Sequence, residues 1–203
     1  MSGYQSLEKK LGFAEPLPVD ENWAAAEDFL HAVSDYCLQE KPEVIVECSS
    51  GISSLVLSRC CQINQRGHVY SLENGAEFVK KTQQQLNSYS LDGFCDVVYA
   101  PLVDIVIDDE KYEWYDLKTL TEIKPEIKID LLVIDGPPGF LQKNSRYPAL
   151  PQLMDKLASA CTVFLDDAAR EDEQNIVALW LEQYPEFQFE YIDNERGCSI
   201  LKR

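Results

Sequence analysis

Four short apolar runs in this chain each end in a carboxylate: Val44-Ile45-Val46-Glu47, Val69-Tyr70-Ser71-Leu72-Glu73, Leu131-Leu132-Val133-Ile134-Asp135 and Val163-Phe164-Leu165-Asp166-Asp167. Three of them are β-rich and too short for helices, and stretches with helical spacing lie between them. Strands covered on both faces read as near-continuous apolar runs, so this alternation is the pattern of an α/β parallel sheet. In an open parallel sheet the ligand crevice lies outside the carboxyl ends of the strands. All of these acids are therefore directed toward one site.

With 203 residues, 45% of them hydrophobic, the chain is long enough to bury one substantial core. Its formal net charge of -17 repels phosphate backbones and anionic lipid headgroups, and Lys and Arg cluster in nothing longer than a pair. Nucleic acid and membrane are excluded as expected partners. The acidity otherwise reads as a solvated surface. The seven cysteines are odd in number, show no CxxC spacing and mostly lie in or beside apolar runs, the usage of reduced core residues in a cytoplasmic protein. No basic-then-apolar leader and no apolar segment of membrane-spanning length occurs.

Residues 1–18 end in Pro16-Leu17-Pro18 and read as an arm or hinge before the domain proper. Asp20 is placed to cap a helix in which Trp23, Ala26, Leu30, Val33 and Cys37 recur at helical spacing up to Lys41-Pro42. Trp23 is expected in the core, with a ligand wall as the alternative. The remainder alternates: a strand at 43–47, a helix from Ile52 to Gln62, a strand at 68–73, a helix from Ala76 to Tyr89 and a strand from Cys95 to Tyr99. Val103–Ile107 and Tyr112–Tyr115 form a hairpin or an ordered loop. A strand from Asp130 to Ile134 opens into a long aperiodic stretch reaching Pro151, of the length found in lids and binding loops. A helix at 151–159, a strand at 161–166 and a helix from Glu171 to Gln183 follow. Phe187, Phe189 and Tyr191 alternate as a further strand before a tight turn and Cys198–Leu201. So few residues separate these last two strands that no crossover helix fits, and they must run antiparallel.

A seven-stranded, mostly parallel sheet with its last strand reversed resembles the class I S-adenosylmethionine-dependent methyltransferases. The likeness implies a Rossmann-like three-layer α/β sandwich over residues 39–203, with residues 1–38 as an N-terminal arm and helix. The turn Glu47-Cys48-Ser49-Ser50-Gly51 resembles the first motif of that family, with Ser49 where many relatives carry glycine; as bare chemistry, a small-residue turn between strand and helix is also good local packing. Glu73 lies 22 residues beyond Gly51 at a strand tip, where an acid accepts hydrogen bonds from both ribose hydroxyls. No G-x-G-x-x-G and no G-x-x-x-x-G-K-[ST] occurs, so a pyrophosphate cradle is missing and a cofactor without phosphates fits better. By the same resemblance Glu47, Ser49, Gly51, Glu73, Asn74 and Asp135 contact S-adenosylmethionine, and Ala100, Pro101 and Leu102 lie near its adenine.

Asp135, Asp166 and Asp167 bring three carboxylates to one rim, where like charges repel unless a cation or protons compensate. A divalent ion is the simplest compensation, and oxygen-only ligation suits Mg²⁺, Mn²⁺ or Ca²⁺. The placement resembles the catechol O-methyltransferase-like group, and I-D-G-P-P-G at 134–139, R-Y-P-A-L-P at 146–151 and L-D-D-A-A-R at 165–170 look like a bacterial branch of small class I methyltransferases. Structural roles compete: Asp167 as a helix cap, Asp166 paired with Arg170, Asp135 on the cofactor's amino group. The expected activity is methyl transfer to a small molecule at oxygen, with Mg²⁺ as an optional second cofactor. Asp135 or Lys143 serves as base, and Arg146 and Tyr147 serve as substrate contacts in the long loop. A non-catalytic binding module, a nucleotide-linked oxidoreductase and a homodimeric assembly remain open.

Overall fold

The computed structural model describes residues 3–20 and 23–203. Its centre is a seven-stranded sheet of β1 (Val44–Cys48), β2 (His68–Glu73), β3 (Cys95–Tyr99), β6 (Ile129–Ile134), β7 (Leu157–Leu165), β8 (Gln188–Ile192) and β9 (Cys198–Lys202). The strand order is β3-β2-β1-β6-β7-β9-β8. The pairs among β3, β2, β1, β6 and β7 are parallel, whereas β9 runs antiparallel to both β7 and β8. The reversed last strand expected from the short final connection is thus present. The hairpin of β4 (Leu102–Ile107) and β5 (Glu110–Tyr115) is a separate two-stranded sheet.

Alternation along the central strands divides the core in two. Ile45, Leu131 and Val133 join one apolar cluster, and Val46, Leu132 and Ile134 join the other. The first is covered by α1 (Gly3–Leu11), α2 (Glu27–Glu40), α3 (Ile52–Asn64) and α4 (Ala76–Ser88), through Leu7, Phe29, Leu55 and Leu86. The second is covered by α5 (Lys118–Ile123), α6 (Ala149–Leu153) and α7 (Glu171–Gln183), through Leu120, Leu153 and Trp180. Each such side chain contributes roughly 1.5–3 kcal/mol relative to exposure. Two-sided burial is the physical reason the strands read as apolar runs. All seven cysteines are free and buried, as their setting implied. Among the described residues no helix is long and apolar enough to cross a membrane.

Three expectations are corrected. The N-terminal segment, expected as an arm or hinge, is packed: Leu7 and Leu11 of α1 and Leu17 beyond it join the first core cluster, and the Arg59 side chain holds the carbonyls of Leu11 and Gly12. The helix expected from Asp20 begins at Glu27, because the buried stretch Ala24–Ala26 leads into it with Ala26 extended at φ -60°, ψ 143°. The helix expected at 151–159 ends early, because Leu157 already pairs with Ile129 as the start of β7.

Candidate active site

The loops leaving the carboxyl ends of β1, β2, β6 and β7 surround a cavity of about 880 Å³. Ser49 and Ser50 line it after β1, Glu73 and Asn74 at the tip of β2, Asp135 and Gly136 after β6, and Asp167 and Arg170 after β7. The hairpin contributes Tyr115, and Arg196 enters from the turn between β8 and β9. The exposed lining of the cavity includes an aromatic pair as well as Arg170 and Glu171. Trp23 and Phe140 face each other there with ring centroids 6.4 Å apart, and they are 59% and 77% exposed.

The turn after β1 carries the backbone conformation that favours glycine at two positions, with φ at 133° for Ser49 and 143° for Gly51. A serine held there is an outlier of the kind that clusters at functional sites, where the backbone must approach a ligand. Ser49 N–H donates to the Leu72 carbonyl at 3.0 Å, which pins the turn to the end of β2. Glu73 accepts from Ser50 Oγ at 2.7 Å and from Gly75 N–H at 2.8 Å. Burial raises its pKa above the ordinary carboxylate range, against the pull of those bonds. Gly136 is required by close packing: a Cβ there would lie 2.6 Å from the Tyr115 hydroxyl and 3.1 Å from the Cys48 carbonyl oxygen.

Glu47 points away from the cavity. It is fully buried, and its Oε2 accepts from Ser54 Oγ and Ser71 Oγ, both at 2.6 Å. Ser54 Oγ in turn accepts from Gly51 N–H at 3.1 Å, so Glu47 braces the first turn of α3 from beneath. Burial pushes its pKa up to about 7, with the hydroxyls of Ser53, Ser54 and Ser71 holding the rise in check.

The three aspartates converge as expected, with one oxygen from each of Asp135, Asp166 and Asp167 within 4.8 Å of the others. Asp166 is fully buried and neither of its carboxylate oxygens has a hydrogen-bond partner, and Asp167 Oδ1 is likewise unpartnered. Burial, reinforced by the neighbouring carboxylates, pushes Asp166 up to about 8; burial likewise raises Asp135 to about 6, against the pull of Arg146. The donor set is all oxygen and three of its oxygens lack a partner, so its composition suits a hard divalent cation. One flank is taken, however. Arg146 Nη2 lies 2.9 Å from Asp167 Oδ2 and 3.3 Å from Asp135 Oδ1, and Arg170 Nη1 lies 2.8 Å from Asp167 Oδ2. Burial pulls the Arg146 pKa down, but the carboxylates of Asp135, Asp167 and Glu173 more than reverse this.

No protein-family model and no curated protein matches the chain. Solved structures do. The SAH-bound methyltransferase PaMTH1 of Podospora anserina aligns with a TM-score of 0.69 at 13% identity, over 99% of this chain and 87% of that one. The O-methyltransferase of Bacillus cereus, in complex with SAH, gives 0.68 at 14% identity, over 100% and 91%. The fold is that of the class I methyltransferases. The precorrin-6y C5,15-methyltransferase of Geobacter metallireducens also shares it, with a TM-score of 0.63 at 14% identity over 94% of both chains. The methyltransferase fold therefore does not choose the acceptor atom, and the chemistry has to come from the site.

On this methyltransferase fold, Ser49, Glu73, Asn74, Asp135, Arg146 and Asp167 line the cavity. Gly51 shapes the turn without lining the cavity. Ala100 is packed in the core, and neither it nor Pro101 or Leu102 reaches the cavity, because β4 starts at Leu102 and carries the chain away. Lys143 is exposed and off the cavity, which removes it as a base. Tyr147 is buried against Tyr112 and donates to Gln183 Oε1 at 3.1 Å, so it is a packing residue and no substrate contact. Asp167 caps nothing, since α7 starts after Arg170 without a side-chain cap, and Arg170 pairs with Asp167 instead of Asp166. Sequence reasoning missed Phe78, Tyr115, Phe140 and Arg196 as lining residues and set Trp23 in the core. A Phe140-Leu141 pair in a connecting stretch without helical or strand period was the signal available.

Proposed function

We propose that this chain is an S-adenosylmethionine-dependent methyltransferase acting on an oxygen of a small molecule. The observation that carries the reading is Glu73, a nearly buried carboxylate at the cavity end of β2 beside the glycine-like turn at Ser49–Gly51. It is a ribose acceptor with no phosphate cradle near it. A cavity of about 880 Å³ has room for a sulfonium nucleoside together with a small acceptor.

Methyl transfer from a sulfonium is an in-line displacement at carbon. The new O–C bond forms as the C–S bond breaks, and the homocysteine product leaves as a neutral thioether. What the protein contributes is alignment and removal of the acceptor proton. Ser49, Ser50 and Glu73 form the donor's side of the cavity. Asp135, whose carboxylate opens on the cavity from the opposite loop, takes the hydroxyl proton. The aromatic rings of Trp23 and Phe140 offer the acceptor an apolar wall at the mouth. Asp135, Asp166 and Asp167 carry the oxygens a divalent ion would need, but Arg146 and Arg170 already engage Asp135 and Asp167, and no step is routed through an ion.

The test is thermal unfolding with S-adenosylmethionine, S-adenosylhomocysteine or NAD. A ligand present at a hundred times its Kd stabilises by about 2.7 kcal/mol. A rise with the first two alone supports the reading. A response confined to NAD overturns it.

A further inference from the structure

Arg146 stands among the carboxylates and is 3% exposed, as buried as Asp167 and more so than Asp135. Its Nη1 donates to the Asp166 carbonyl at 2.9 Å and lies 3.7 Å from Glu173 Oε1. Its Nη2 donates to the Asp135 carbonyl at 2.7 Å and to Asp167 Oδ2 at 2.9 Å, and it is 3.3 Å from Asp135 Oδ1. The guanidinium thus ties the loop after β6 to the loop after β7. Its own flanks are fixed as well. Ser145 Oγ donates to the Pro137 carbonyl at 3.3 Å, and the Tyr147 carbonyl accepts from the buried Trp180 Nε1 at 2.9 Å.

A side chain held this way is no surface arm that swings aside for an arriving ion. Moving it would strand buried carboxylates and break bonds to two loops at once. Guanidinium is always charged and presents a planar fork of donors, which serves backbone carbonyls and carboxylates together as a spherical ion cannot. Two of the three carboxylates in the cluster already give it an oxygen.

We propose that Arg146 is the resident cation of the Asp135, Asp166 and Asp167 cluster and holds the place a divalent ion would otherwise take. Arg146 is then a positioning residue: it neutralises the rim and fixes Asp135 for proton removal. The inference rests on the methyl-transfer reading for the purpose of the site, but its test needs neither cofactor nor acceptor, so either can fail alone.

The experiment is a Mn²⁺ titration of the full chain, following the paramagnetic resonance signal of the free ion. Wild type is expected to leave Mn²⁺ free up to millimolar concentrations, and R146K, which keeps a cation in place, to do the same. R146M removes the charge while keeping much of the length, and it is expected to take up one Mn²⁺ per chain. Adding D166N to R146M should abolish that uptake. Binding of one Mn²⁺ by wild type, lost in D166N, overturns the proposal. So does a folded R146M that leaves the ion free. If R146M does not fold, wild type and R146K decide the matter, since uptake of one ion by either overturns the proposal.

Discussion

Glu47→Gln should remove a pH dependence of stability that the buried carboxylate imposes. In the unfolded chain this group ionises near 4.5, and in the folded one near 7. Between those values the folded state keeps a proton that the unfolded state releases, so stability falls as pH rises through the window. At 1.36 kcal/mol for each pH unit the loss is about 3 kcal/mol, complete once pH passes the folded value. The contribution is thus fully present below 4.5 and gone above 7. Glutamine mimics the protonated form and still offers an oxygen to Ser54 and Ser71. Urea denaturation between pH 5 and 8, read by tryptophan fluorescence, gives both profiles. The wild-type profile should fall relative to the variant by about 2–3 kcal/mol across that range, whatever the other acids contribute to both. Parallel profiles would show that Glu47 is already ionised in the fold and that the serine cluster solvates it fully.

Glu73→Ala should weaken S-adenosylhomocysteine binding by roughly 1–3 kcal/mol by calorimetry, the cost of losing a charged hydrogen-bond partner, and an unchanged affinity would remove Glu73 from the cofactor site. Gly136→Ala forces a Cβ against the Tyr115 hydroxyl at 2.6 Å and should destabilise the fold by about 1–3 kcal/mol in denaturant titration, with partial relief from Tyr115→Phe. Trp180→Ala opens a void in the second core cluster and orphans the Tyr147 carbonyl, so its loss of stability should reach about 3–5 kcal/mol. Lys143→Ala, at an exposed position off the cavity, should stay within about 0.5 kcal/mol of wild type and leave cofactor affinity unchanged.

The central strands of this fold were legible because a parallel sheet covered on both faces leaves a mark of continuous apolar residues, and β2 lies where that mark put it. Which strand-tip acid faces the ligand was not legible, and the stagger between neighbouring strands explains why. Taken as the last residue of its strand, Glu47 looks equivalent to Glu73. In the sheet β1 runs on to Cys48 and Glu47 pairs with Ser71, so Glu73 stands two residues farther toward the cavity. Arg146 was hidden for a different reason. Composition set a cation in the right loop of an acidic protein, but its partners lie 11 and 21 residues away in sequence, and only the path of the buried segment 144–150 turns the guanidinium inward. The repulsion among Asp135, Asp166 and Asp167 demands compensation without naming its source. An ion from solution is the simplest source for a reader of sequence, whereas for the fold a side chain already paid for in chain entropy holds the same place at no cost in association.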